Sequence, residues 1–297
     1  MTFVHGSATP RAARRLLKVF CALTAAGFVA LFVLAPATSE YFAWTIQPPL
    51  TAAFLGAGYG AGFLLSVLCL RAPGWAHVRL PFVTVTAFTW LTTLATALHL
   101  DRLHLRTPGT GPVAEPAAWL WLVVYVVVPV AMTVVLVREA FRREASARGP
   151  SPRAPVPQRV ALPGWLAALL AVEGLAMGLV GVVLFVAPAT GATWWPWPLT
   201  PFTGRAVAAW LLAFAWAAAA SVTRRDLAEL RPATLAYAAF GALQLVALVR
   251  FATDVDASAP RPALYVALLV AVTVTGALGW WLGRRPVGHV TDGPRAT

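Results

Sequence analysis

Few residues in this chain have the chemistry to act, and long apolar runs hold the ones that do. Glu173 is the acidic residue that lies well inside such a run, GWLAALLAVEGLAMGLVGVVLFV. It falls about 10 residues from one end, about 15 Å along a helix, which is mid-membrane. Ionisable groups there are costly and mark substrate or proton pathways. Without a cationic partner, a buried carboxyl favours its neutral, protonated form. That form suits a proton-coupled carrier. The plainer reading is a protonated Glu hydrogen-bonded to a neighbouring helix.

A second group is a polar stripe. Thr89, Thr92, Thr96 and His99 stand 3, 4 and 3 residues apart, which places them on one helical face. The stripe leads to Asp101, Arg102 and His104. A repeat described below matches Thr92 to Gln244, whose own run ends at Arg250, Asp254 and Asp256. The expectation is an intramembrane polar site of Glu173, Gln244, Thr89, Thr92, Thr96 and His99. Beyond it would lie an outer-face cluster of Asp101, Arg102, His104, Arg250, Asp254 and Asp256. The competing expectation is that the Thr hydroxyls bond their own i−4 carbonyls and the charges are simply wet.

Other chemistries find less support. His99-x-Asp101-x-x-His104 has metal-ligand types, but ligands two and five residues apart do not share a helical face. His5, His77 and His289 lie in terminal or connecting segments, a poor arrangement for haem between helices. No metal and no cofactor is expected. No serine lies in a G-x-S-x-G context, and no catalytic residue is assigned. The glycines of Gly56–Gly62 lack the strand that precedes a nucleotide loop.

The elements that must position these residues follow from composition. The 297 residues are 59% hydrophobic and 11% charged, and mean hydropathy is +0.73. A soluble domain carries roughly 25% charged residues, so this chain has too few to wet a surface. Eight apolar runs, at about 16–35, 50–70, 81–100, 117–137, 163–187, 203–222, 232–251 and 262–283, have the roughly 20-residue length that spans a bilayer. The net charge of +12 resides in the connections, so topology accounts for it and nucleic acid is not an expected partner. Of the Lys and Arg residues, 18 fall on the side of the termini and five on the other. The positive-inside rule then places both termini in the cytoplasm. Trp44, Trp119, Trp121, Trp194, Trp195 and Trp197 fall at the outer interface, where tryptophan concentrates. Arg and Ala usage suggests a GC-rich bacterium and its cytoplasmic membrane. Cys21 and Cys69 are expected as free thiols.

One stretch occurs twice. Pro36–Thr51 reads PATSEYFAWTIQPPLT and Pro188–Thr203 reads PATGATWWPWPLTPFT, with landmarks 152 or 153 residues apart. With four spans per copy, the copies are parallel repeats about a pseudo-two-fold axis along the membrane normal. The expected fold is an all-α bundle of eight transmembrane helices: a tail (1–15), a first repeat (16–138), a basic Pro-rich linker (139–161), a second repeat (162–284) and a tail (285–297). The linker arginines favour anionic lipid headgroups. Small-residue stripes, Ala52, Gly56 and Gly60 in span two and Ala209, Ala213 and Ala217 in span six, allow close helix approach. They are expected near the pseudo-axis and as faces for a homo- or hetero-oligomer. Each duplicated loop is too apolar to float in water. Both are expected to fold onto the outer rim as caps, with Trp44 in one and Trp194, Trp195 and Trp197 in the other.

The strings FAWTIQPPLTAAFLGA at 42–57 and LHLDRLH at 98–104 resemble segments of uncharacterised multi-spanning membrane proteins of GC-rich bacteria. That resemblance covers chiefly the first half and implies no known activity. The leading expectation is a transporter-like protein for a small solute or protons. The alternatives are a non-transporting accessory or structural subunit, then an intramembrane enzyme or redox subunit.

Overall fold

The computed structural model describes residues 8–147, 160–256 and 258–284. Among them, eight helices are long and apolar enough to cross a membrane. They are α1 (Arg11–Phe28, continued by a π-type turn, Val29–Val33), α2 (Pro49–Arg71), α3 (Trp75–Ala97) and α4 (Ala114–Ala147), then α5 (Gly164–Val186), α6 (Pro201–Arg224), α7 (Leu227–Arg250) and α8 (Pro260–Leu282). A 23-residue helix is about 35 Å long, enough for a hydrocarbon core of about 30 Å. The chain is a polytopic all-α membrane protein.

Local sequence sets the helix ends. Proline opens α2, α6 and α8, where its missing N–H costs nothing. Thr200 and Thr203 form a reciprocal capping box on α6. Asp226 caps α7 through the Ala228 N–H. Arg225, in the left-handed region at φ 53°, turns the chain sharply between α6 and α7. The segment before α5 pairs with that turn through an Ala161–Asp226 bridge.

Eight successive helices put Arg11, Arg71, Trp75, Gly164, Arg224 and Leu282 at one end of the bundle, called the linker end, and the two tryptophan loops at the other, the cap end. Neighbours in sequence pack as pairs: α1 with α2, α3 with α4, α5 with α6, α7 with α8. Between the halves, α2 lies along α7 and α3 along α6, and α3 also meets α7. The outward faces are apolar, with Val123, Val126 and Val127 of α4 and Val172, Leu175 and Val186 of α5 exposed, as a lipid environment requires.

Much of the small-residue stripes is buried. Ala52, Ala53, Ala57, Ala208 and Ala209 are fully buried. A Cβ on Gly56 would lie 2.4 Å from the Phe32 backbone nitrogen, so only glycine lets α1 and α2 approach this closely. Gly56 and Gly60 of α2 face α1, with Gly60 also meeting Leu243 of α7, while Ala213 and Ala217 of α6 line a cavity described below. Both cysteines are free. The first helix begins at Arg11, and α4 carries the start of the linker to Ala147. Arg148, Arg153 and Arg159 of the linker, and the tail 285–297, lie outside the described residues.

Candidate functional site

The expected polar site separates into parts. Glu173 on α5 is buried, 4% exposed, and its carboxyl accepts from Tyr237 Oη of α7 at 3.0 Å and Thr275 Oγ1 of α8 at 2.7 Å. Both partners come from the second half, and no Thr of the stripe touches it. Gln244 is fully buried. Its Nε2 donates to the Phe54 carbonyl of α2 at 3.0 Å, and its Oε1 faces Tyr265 Oη at 3.5 Å. It clamps α7 to α2 and α8.

The threonine stripe turns back on its own helix. Thr86 donates to the Phe82 carbonyl, Thr89 to Thr86 and Thr92 to Phe88. Thr96 accepts from Trp121 Nε1 of α4 at 3.0 Å. Thr86, Thr89 and Thr92 are thus bonded within α3 and Thr96 to α4, and Thr89 also lines the cavity described below. His99 ends the stripe as a joint. Its Nδ1 donates to the Ala95 carbonyl at 3.0 Å, its Nε2 accepts from Arg205 at 3.1 Å, and its ring stacks on Phe202 at 5.0 Å.

The ionisable groups at the cap end do not form one cluster. Asp101 and Arg102 pair with each other in the open at 3.1 Å. His104 is buried under the first cap, with Nδ1 donating to the Phe42 carbonyl and Nε2 accepting from Thr45. Arg250 donates to the carbonyls of Phe32 and Val33, the free C-terminal end of α1. Asp254 accepts from the Leu50 N–H at 2.9 Å and so supplies a negative charge to the N-terminus of α2. Asp256 sits in its own turn, where the Ser258 hydroxyl and N–H hold its carboxyl below the usual carboxylate range. Among the described residues no three His, Cys, Asp or Glu side chains converge as a metal site.

The caps are packed aromatic plugs. Trp44 is 2% exposed, against Phe42, Trp121 and Phe202. Trp195 and Trp197 are buried against each other and Tyr265, and Trp197 Nε1 donates to Thr51 of α2 at 2.9 Å. Trp194 is the exception, 59% exposed. Each cap reaches across to the other half: Trp44 onto the first turn of α6, Trp197 onto the first turn of α2.

Beneath these plugs the interior is concave. A cavity of about 270 Å³ is walled by helices of both halves. Tyr59, Phe88, Tyr125, Trp210, Phe214 and Tyr237 supply its aromatic surface, and Gly58, Ala61 and Ala213 make the room. A Cβ on Gly58 would meet the Trp210 ring at 2.6 Å, so that glycine sets where the indole lies. Polar atoms are few and mostly spent: Tyr59 Oη and Tyr125 Oη bond each other at 2.6 Å, and Tyr237 Oη bonds Glu173. The rim carries exposed side chains of α1 and α4, including Ala26 and Leu120, so the cavity opens sideways between those helices. Comparison with protein-family models, curated proteins and solved structures returns no match.

Proposed function

We propose that this chain is a transporter-like bundle of two parallel repeats in a bacterial cytoplasmic membrane, both termini in the cytoplasm, and that its interior takes an apolar chain. The observation that carries this reading is the apolar cavity of about 270 Å³ between the halves, open on the side that faces lipid. A pocket of this size with few free polar atoms gains by excluding water from a hydrocarbon guest and offers little to a hydrated solute or ion. The repeat reading is supported by helix pairing. Exchanging the halves turns the α2–α7 contact into α6–α3, and both are present. The orientation rests on the distribution of Arg and Lys.

A phospholipid with a photoreactive group at the end of one acyl chain tests the proposal in nanodiscs. Crosslinks to Phe214 or Tyr237 on the cavity wall are expected, and they should disappear in Ala30→Phe/Ala117→Phe, which fills the cavity from its rim. Crosslinks confined to the exposed valines of α4 and α5 would overturn the reading. The accessory-subunit alternative is favoured by the row of exposed apolar residues on α5, Val172, Leu175, Leu179, Val182 and Val186. A stoichiometric partner retained in mild detergent and lost on Leu175→Ser/Leu179→Ser would support it.

A further inference from the structure

Toward the linker end, the cavity lining stops at Pro81 of α3, Ser221 of α6 and Ala233 of α7. One turn further along the same faces stand His77, Arg224 and Glu229. His77 and Glu229 are separated by the repeat spacing of 152 residues. Arg79 of α3 and Arg143 of α4 come close enough to Arg224, and to each other, to repel. Glu229 lies within electrostatic reach of His77, Arg143 and Arg224.

These cations are unspent. Among the described residues the ion pairs are Arg102–Asp101 and Arg142–Glu139, and none involves Arg79, Arg143 or Arg224. Asp226, also nearby, is committed to the Ala228 N–H. Nδ1 of His77 and Nε of Arg231 are buried and meet no protein partner, and the same holds for Thr84 Oγ1 beside the cavity. Arg79 and Arg143 stand exposed at the edge of the cluster and Arg224 is half-buried. Glu229 faces His77, Arg143 and Arg224, Asp226 faces His77, and Glu139, which faces Arg143, is paired with Arg142, so the three guanidinium groups have no carboxylate bound directly to them.

We infer that this cluster is the headgroup site for the molecule whose chain occupies the cavity, and that the ligand is a phosphate-bearing amphiphile of net negative charge. The inference rests on the chain-binding reading above. Phosphate oxygens are acceptors that match the guanidinium fork, and they give the orphaned donors partners. One acyl chain then runs into the apolar cavity below. A lone phosphate would satisfy the donors and leave the cavity unused.

The full chain in nanodiscs with equal phosphatidylglycerol and phosphatidylcholine, released for native mass spectrometry, tests this. The parent is expected to retain phosphatidylglycerol over phosphatidylcholine about tenfold, the scale of one charge-assisted contact. Arg79→Gln/Arg224→Gln should bring the ratio near one, Arg79→Lys/Arg224→Lys should keep part of it, and Arg102→Gln at the cap end should leave it unchanged. Equal retention of both lipids by the parent, with both lost from Ala30→Phe/Ala117→Phe, would overturn the headgroup assignment and leave the chain reading standing. Retention of neither would end both. Inorganic phosphate binding equally to the parent and the cavity-filled variant would identify a free-anion site and overturn the amphiphile.

Discussion

The two ends of the bundle both carry arginine and use it in opposite ways. At the cap end, Arg205 donates to the Phe185 carbonyl and to His99, Arg250 to Phe32 and Val33, and Arg261 to Thr193. Arg205 and Arg250 bind carbonyls at the ends of α5 and α1, and Arg261 the carbonyl that follows the short helix Pro188–Ala192, places where helices leave carbonyls unpaired. Asp254 does the converse job for α2. At the linker end, Arg79, Arg143 and Arg224 bind nothing in the chain. At the cap end Arg205, Arg250, Arg261 and Asp254 are thus held by backbone, and the loops are plugged with indole. The linker end keeps its binding capacity.

If the cap end is a structural plug, its aromatic residues carry the largest stability effects there. Trp44→Ala removes a fully packed indole from between Phe42, Trp121 and Phe202, a change that costs about 3–5 kcal/mol. Trp194→Ala, in the exposed position of the other cap, should cost within about 0.5 kcal/mol. Thermal unfolding of both variants in one detergent reads the difference. Similar losses would mean that the caps do not act as plugs.

The arginines sharpen the contrast at the next scale. Arg250→Gln leaves the Phe32 and Val33 carbonyls without their donors, at a cost of about 1–3 kcal/mol. Arg224→Gln removes no hydrogen bond and relieves repulsion, so stability should stay level or rise by a few tenths of a kcal/mol. A loss from Arg224→Gln as large as from Arg250→Gln, in lipid-free detergent, would erase the distinction between the ends.

These differences explain what the sequence could disclose. The spans were legible because about 20 apolar residues have no other comfortable home. Glu173 and the threonine stripe were legible as residues, since each is a polar group in an apolar run. Their partners were not. Tyr237 and Thr275 lie 64 and 102 residues from Glu173, and a threonine's choice between its own helix and a neighbour depends on packing that spacing does not encode. The cavity was hidden for a related reason: Ala213 belongs to a stripe that reads as a close-packing signal, and whether small residues such as it, Gly58 and Ala61 bring helices together or leave room is decided by what stands opposite. His77, Arg224 and Glu229 were visible only as connecting-segment charges. Their arrangement above the cavity needs three helices brought into register.

A pair of variants at Glu173 bears most on whether the second half does chemistry. Glu173→Gln keeps one acceptor oxygen and puts an amide N–H, from which the other hydroxyl can accept, in place of the second, so its stability cost should be within about 1 kcal/mol. Glu173→Leu leaves both hydroxyls facing an apolar group and should cost about 1–3 kcal/mol. That ordering is what a hydrogen-bonded joint between α5, α7 and α8 requires. A joint also predicts that Glu173→Gln retains chain crosslinking at Tyr237 and that any pH dependence of that crosslinking matches the parent's. If the stability ordering holds but the Gln variant loses a pH dependence seen in the parent, Glu173 exchanges a proton with the cavity through Tyr237. The unspent chemistry would then extend from the linker end to mid-membrane, and the simple division between a structural end and a binding end would no longer hold.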